Sequence, residues 1–226
     1  MAAAVRKTNW FAVWVSVAAV VALVVIAGIV IWMNNSAAGS APSGAAPSAS
    51  NVDTDTGAVV FGKGSNTVDT YVDFLCPYCN QIEQAEGATL QQLVSEGRIT
   101  LRVHPVTILD DHTSPSGYSS RAASAMYAVA EADPAHAYAF LEAMYQNQPQ
   151  EGSAGLTDAQ IVDIAKSAGV NVTSALEHAI TSNAYQTFAQ AHGLPSGAQG
   201  TPTVIVNGTM ITVTDDPQKD IVANLK

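Results

Sequence analysis

The run Thr67-Val68-Asp69-Thr70-Tyr71-Val72-Asp73-Phe74-Leu75-Cys76-Pro77-Tyr78-Cys79 begins as a β-type segment and ends in two cysteines three positions apart. Thr67 to Phe74 is rich in Val, Thr and aromatic residues, the composition of a strand. From Cys79 to Glu96 the residues are mostly good helix formers, with Ile82, Leu90, Leu93 and Val94 apolar and Gly97 placed as a C-terminal cap. Arg98 to Val106 then reads as a second strand. Strand, helix and strand in this order make a βαβ unit, whose crossover is right-handed and whose helix covers one sheet face. A further β run, Ala58 to Phe61, precedes it across the turn cluster Gly62-Lys63-Gly64-Ser65-Asn66.

Towards the C-terminus the pattern changes. Tyr118 to His192 is rich in Ala and has no β run, so a helical block is expected there, an insertion over about residues 113–193. Within it, Asp133 followed by Pro134 reads as an N-cap with proline in the first turn. Thr157 and Gln160 form a capping-box pattern, with Leu156 and Ile161 as its hydrophobic staple. β signals return at Thr203 to Val206 and Thr209 to Val213, on either side of the hairpin dipeptide Asn207-Gly208. A short helix from Pro217 to Asn224 closes the chain. The expected fold class is α/β: a β-α-β half, a helical insertion and a β-β-α half.

Towards the N-terminus, Trp10 to Met33 runs 24 residues without a charge. At 1.5 Å per residue that is enough to cross a hydrocarbon layer of ~30 Å. Trp10, Phe11 and Trp14 stand at one end and Trp32 at the other, while Arg6 and Lys7 place the amino end in the cytoplasm and the body outside. The competing reading is a cleavable signal with Ser36-Ala37-Ala38 at its end, but the apolar run is about twice the ~7 to 15 residues of a signal core. No Cys lies at its end to take a lipid. The expected organisation is a cytoplasmic N-terminus over 1–9, a single transmembrane anchor over 10–33, a flexible Ala/Gly/Ser/Pro linker over 34–56 and a folded body over 57–226.

Composition removes several function classes. The 226 residues carry nine Lys and Arg against 19 Asp and Glu, a net charge of −10. Arg6 and Lys7 are the only charges in the first 52 residues, which leaves seven basic against 19 acidic groups on the rest, about −12. Such a body repels phosphate backbones, so nucleic acid is not an expected partner. Cys76 and Cys79 are the whole cysteine complement, so no thiol is left for a structural bridge elsewhere.

Two cysteines at i and i+3 at the mouth of a helix close a small disulfide and still let the first sulfur reach another molecule. Free amides and the positive end of the helix dipole favour the thiolate at Cys76, the species that attacks disulfides. Pro77 fits the first turn, where its missing N–H costs little. Cys79, deeper in the helix, is the resolving thiol. Structural zinc wants four ligands, and His104, His112, His136, His178 and His192 show no matching pair; no Met or His flanks the cysteines for copper. Neither a metal nor a cofactor is expected. An inert disulfide closing so short a loop adds little stability.

On the residues from Tyr71 to Cys79, and on Gly200-Thr201-Pro202-Thr203-Val204 before the hairpin, the body resembles the DsbA-like thiol-disulfide oxidoreductases. The resemblance covers residues 57–226. It implies a thioredoxin-like fold with a helical insertion, a cis-proline at Pro202 opposite Cys76, and a Thr201 whose backbone meets an incoming substrate strand. The function it implies is disulfide formation in exported cysteine-containing proteins, with an unidentified membrane redox partner recycling Cys76 and Cys79. Tyr78 departs from the His carried by the better-known oxidases of the family, and Cys-Pro-Tyr-Cys also occurs in glutaredoxins, which lack so long a helical block. The opposite direction, a membrane-tethered reductase or isomerase, therefore stands as the alternative, with a dithiol metal chaperone behind it.

Asp73, three residues before Cys76, either assists proton transfer or faces solvent where the strand runs out. His104, on a strand and next to Pro105, reads as a structural histidine. Asn171-Val172-Thr173 and Asn207-Gly208-Thr209 match the glycosylation pattern, though turn geometry already explains the second.

Overall fold

The computed structural model describes residues 45–226. The expected cytoplasmic segment, the transmembrane anchor over 10–33 and residues 34–44 of the linker lie outside the described residues. Among the described residues no helix is long and apolar enough to cross a membrane.

Among the described residues six strands form one sheet: β1 (Val52–Asp53), β2 (Ala58–Phe61), β3 (Asn66–Val72), β4 (Ile99–Pro105), β5 (Thr203–Val206) and β6 (Thr209–Ile211), in the spatial order β1-β2-β4-β3-β5-β6. Only β3 and β4 run parallel, in the register Val68↔Leu101 and Asp69↔Arg102; the remaining pairs are antiparallel. A parallel pair needs a crossover, and helix α1 (Pro77–Ser95) supplies it. Its buried positions Cys79, Ile82, Glu86, Leu90 and Leu93 recur at three- and four-residue spacing, one stripe of a 3.6-residue period. The helix ends where the sequence says it should. Gly97 takes φ +67°, its N–H reaches the Val94 carbonyl at 3.0 Å, and the Arg98 N–H reaches that of Leu93 at 2.9 Å, the two bonds of a Schellman cap.

The helical block comprises α2 (Tyr118–Ala132), α3 (Ala137–Gln146), α4 (Asp158–Ser167), α5 (Ser174–Thr181) and α6 (Gln186–Ala191). Helix α2 is buried almost all round, which its Ala and Ser content permits because small side chains let neighbouring helices approach closely. Its buried serine hydroxyls are satisfied, Ser124 Oγ accepting from the Tyr185 N–H at 3.0 Å and Ser120 Oγ from Gln186 Nε2 at 2.8 Å, whereas the buried Tyr118 hydroxyl has no partner among the described residues. Thr157 and Gln160 form the expected capping box at the start of α4. Hairpin β5-β6 turns on Asn207 and Gly208, both at positive φ, and helix α7 (Pro217–Asp220) with a following 3₁₀ turn closes the chain.

Two expectations need correction. Asp133 does not cap the start of a helix; it is the C-cap of α2, its N–H bonded to Val129 at 2.8 Å, and Pro134 lies in a turn before α3. Tertiary partners decide the matter, since the Asp133 carboxylate accepts from the Asn171 N–H and contacts His136 Nδ1, both at 2.9 Å. The folded body also starts before Gly57. Val52 and Asp53 pair with Val59 and Ala58, Pro47 is buried, and Ser48 donates its N–H to Glu131 at 3.0 Å. A segment poor in large apolar residues is held here by backbone pairing, which composition does not reveal.

Candidate active site

Strand β3 ends at Val72, and residues 73–76 turn the chain into α1 with Cys76 as its N-cap residue. Pro77 occupies the first helical position, so its missing N–H leaves no internal bond unmade. Both cysteines are free thiols, Cys76 at 4% and Cys79 at 1% exposure. Across from them the peptide between Thr201 and Pro202 is cis, and the Cys76 thiol donates to the Thr201 carbonyl at 3.4 Å. A second cis bond joins Ser114 to Pro115, which the sequence reading does not foresee. Tyr78 stands 69% exposed beside the pair.

The two sulfurs are driven in opposite directions. Hydrogen bonding from the Cys79 thiol brings Cys76 down to about 6; burial opposes this, while Thr201 and the backbone amides of Cys79 and Tyr78 add to it. Burial pushes Cys79 well above the ordinary thiol range, and donation to Cys76 reinforces the rise. The amides at the helix mouth, expected to be what activates Cys76, contribute less than the partner thiol. The result is a Cys76 thiol that ionises readily, beside a Cys79 that holds its proton, which is the chemistry asked of an attacking thiol and its neighbour in disulfide exchange.

Asp73 is fully buried rather than at the solvent. Its carboxylate accepts from the Leu75 N–H at 2.9 Å, the Leu109 N–H at 3.0 Å and Ser119 Oγ at 2.6 Å. Burial raises its pKa in spite of these bonds. The backbone of Asp73 serves the site too, since its carbonyl accepts the Cys76 N–H at 3.0 Å. His104 is equally buried, Nε2 on Asp69 Oδ1 at 2.9 Å and Nδ1 on the Thr56 carbonyl at 3.2 Å, a structural role in the sheet. Asp69 also binds Arg102 at 2.6 Å and, against the cost of burial, is held below the usual carboxylate range by these partners.

The helical insertion braces the cysteine loop with residues the sequence reading passes over. Gln148, just beyond α3, donates its carboxamide to the carbonyls of Phe74 and Cys76, each at 3.0 Å. Asn80 in turn donates to the Tyr145 carbonyl at 3.0 Å and to Gln148 Oε1 at 3.3 Å, and the Tyr145 hydroxyl reaches the Asp73 carbonyl at 3.4 Å. No local pattern marks these side chains. Beside the cysteines lies an open groove of about 430 Å³ lined by Tyr78, Gln81, Pro202, Met210 and Asp215 among others. Among the described residues no group of three His, Cys, Asp or Glu is placed to hold a metal.

A family model described as thioredoxin matches residues 56–223. The crystal structure of reduced DsbA from Mycobacterium tuberculosis superposes with a TM-score of 0.60 at 31% identity, covering 70% of this chain and 85% of that one. Reduced DsbG, a disulfide bond oxidoreductase of the same organism, gives 0.61 at 30% identity over 74% of this chain and 79% of its own. The serine/threonine-protein kinase PknE of M. tuberculosis is 31% identical over 160 residues, 67% of this chain; the chain spans 28% of the length of that curated relative. The chain belongs to the thioredoxin family and is a thiol-disulfide oxidoreductase of the DsbA/DsbG type.

Proposed function

We propose that this thioredoxin-family oxidoreductase donates disulfides to cysteine-containing proteins outside the cytoplasm, tethered to the membrane by residues 10–33 and a linker ending near residue 44. The reading is supported by the geometry of the pair, Cys76 at the helix mouth facing the cis Thr201–Pro202 peptide, and by its opposed thiols, Cys76 down at about 6 and Cys79 well above the ordinary range. A stabilised Cys76 thiolate favours the reduced form, and a protein whose reduced form is favoured gives up its disulfide readily. The thiolate of a substrate attacks Sγ of Cys76, the Cys76–Cys79 bond breaks, and Cys79 takes up a proton; a second substrate thiol then displaces Cys76. The uncharged apolar run over residues 10–33, preceded by Arg6 and Lys7, supports the outward orientation. A membrane redox partner reoxidises the pair, and no nucleic acid enters the scheme.

Equilibration with glutathione tests the direction. A potential near ~−120 mV is expected, and one near ~−270 mV would assign the reductase or isomerase role instead. Roles within the pair are tested by trapping: Cys79→Ala in cells should accumulate mixed disulfides with exported proteins, and Cys76→Ala should accumulate none. Equal trapping by both variants would reverse the assignment.

A further inference from the structure

Three large hydrophobic side chains stand exposed among the described residues, and two of them, Tyr78 at 69% and Met210 at 42%, line the groove beside Cys76. Isolated exposed apolar groups need no explanation, but two facing one open groove next to a reactive sulfur mark a contact surface. The groove is also one-sided in charge. Asp215 lies in its wall, and no Lys, Arg or His is among the residues lining it. No basic side chain among the described residues pairs with Asp215; its one side-chain partner is neutral, Gln81 of α1, whose Nε2 donates to Oδ2. That bond fixes the carboxylate one turn along the helix from Tyr78. Asp215 holds φ +62°, a left-handed conformation in which Asp and Asn are the most readily accommodated residues after Gly.

Resting on the thiol exchange proposed above, we infer that this groove selects substrate segments in which a lysine or arginine lies near the reacting cysteine, with Asp215 as the specificity-determining residue. An extended segment entering at Cys76 passes along Tyr78 and Met210, where an apolar side chain or the methylene stem of a basic one packs. Its cation then reaches Asp215, and the open face of Tyr78 offers a further favourable surface for it. An acidic side chain at the same place meets a carboxylate that no basic group neutralises and is rejected, so discrimination comes from repulsion as much as attraction.

The test uses the full-length protein in detergent and synthetic peptides with one cysteine, carrying Lys, Gln or Glu at each of the three positions on either side. The oxidised protein is mixed with reduced peptide, and formation of the Cys76–peptide bond is followed by acid quench and mass spectrometry. The reverse exchange uses reduced Cys79→Ala protein and the peptides as glutathione disulfides. At one or more positions the Lys peptide should react about three- to five-fold faster than the Gln peptide at low salt, and the Glu peptide slower by a similar factor. Asp215→Asn keeps an acceptor for Gln81 and tolerates the left-handed backbone while removing the charge; it should bring the three peptides together. Asp163→Asn, an exposed acid on α4, should leave the discrimination intact. Equal rates for Lys and Glu at every position, or discrimination that survives in Asp215→Asn, would overturn the assignment. Absence of exchange with any peptide in either direction would instead overturn the proposed exchange function, and the role of the groove with it.

Discussion

At the scale of single residues the site is defined by two protons held unequally. Cys76 ionises at about 6 in the fold and at ~8.5 in an unfolded chain, so between these values the unfolded state binds more protons and stability of the reduced form rises with pH. Below pH 6 that contribution is gone. Cys79 works the other way: above ~8.5 the unfolded chain releases its proton while the folded protein retains it, and stability falls again. The stability of the reduced form relative to the oxidised form should therefore climb from pH 6 to a maximum near ~8.5 and then decline, by an amount on the order of 1 kcal/mol between pH 6 and 7. Denaturant unfolding of both forms across pH checks this, with thiolate absorbance as an independent titration; a difference that stays flat from pH 6 to ~8.5 would show that Cys76 titrates as an ordinary thiol. Asp73 makes a separate case. Because its two oxygens serve Leu75, Leu109 and Ser119 rather than a sulfur, Asp73→Asn should cost about 1 to 3 kcal/mol by setting an amide donor against a donor, while the pH profile of thiol exchange keeps its shape. Loss of one limb of that profile would make Asp73 a proton carrier after all.

At the scale of elements, the sequence was most legible where the physics is local. The stripe of α1, its Gly97 cap, the Thr157 capping box and the Asn207-Gly208 hairpin all rest on residues within a few positions of one another, and so does the pairing of Cys76 with Cys79. What was not legible depends on partners brought from afar. Gln148 meets Phe74 across 74 positions and Ser119 meets Asp73 across 46, and neither residue belongs to a recognisable pattern. Asp133 shows the converse error, a local signal overruled by a distant partner at Asn171. The turn cluster before β3 was readable as a turn, yet the reason for one of its glycines was not: a Cβ at Gly64 would collide with the backbone of Arg98 and Ile99, where β4 begins. That backbone is held in place by the Gly64 N–H on the Ile99 carbonyl at 3.2 Å and by Thr100 Oγ1 on the Gly64 carbonyl at 2.8 Å. Gly64→Ala should accordingly destabilise by about 1 to 3 kcal/mol, the range for forcing extra atoms into a packed site. A thermal melt unchanged from the parent would mean that the two strand starts part more easily than this geometry allows.

At the scale of the whole molecule, the described N-terminal segment joins the sheet to the helical block. Ser48 is fastened to Glu131 of α2, Val52 and Asp53 add the outermost strand, and the Thr56 carbonyl receives His104 Nδ1 from β4. Gly57 then passes its carbonyl to the buried Tyr127 hydroxyl of α2 at 2.6 Å. A chain cut before residue 45 keeps all of these contacts, whereas one starting at Gly57 loses the strand that covers Ala58 and Val59, both fully buried, and leaves His104 without its carbonyl. Two ladder bonds, one buried acceptor and the cover over two apolar residues together amount to about 2 to 4 kcal/mol. For a domain of this size each kcal/mol lowers the melting temperature by ~2 to 4 °C, so the 57–226 fragment should melt roughly 5 to 15 °C below the 45–226 fragment. Because the severed contacts involve β1, β2, β4 and α2 rather than the cysteine loop, the shorter fragment that remains folded at low temperature should still exchange thiols with a small substrate. Parallel melts and single-turnover exchange on the two fragments check both parts: equal melting temperatures would return residues 45–56 to the linker, and loss of exchange in a folded 57–226 fragment would tie this segment to the site itself.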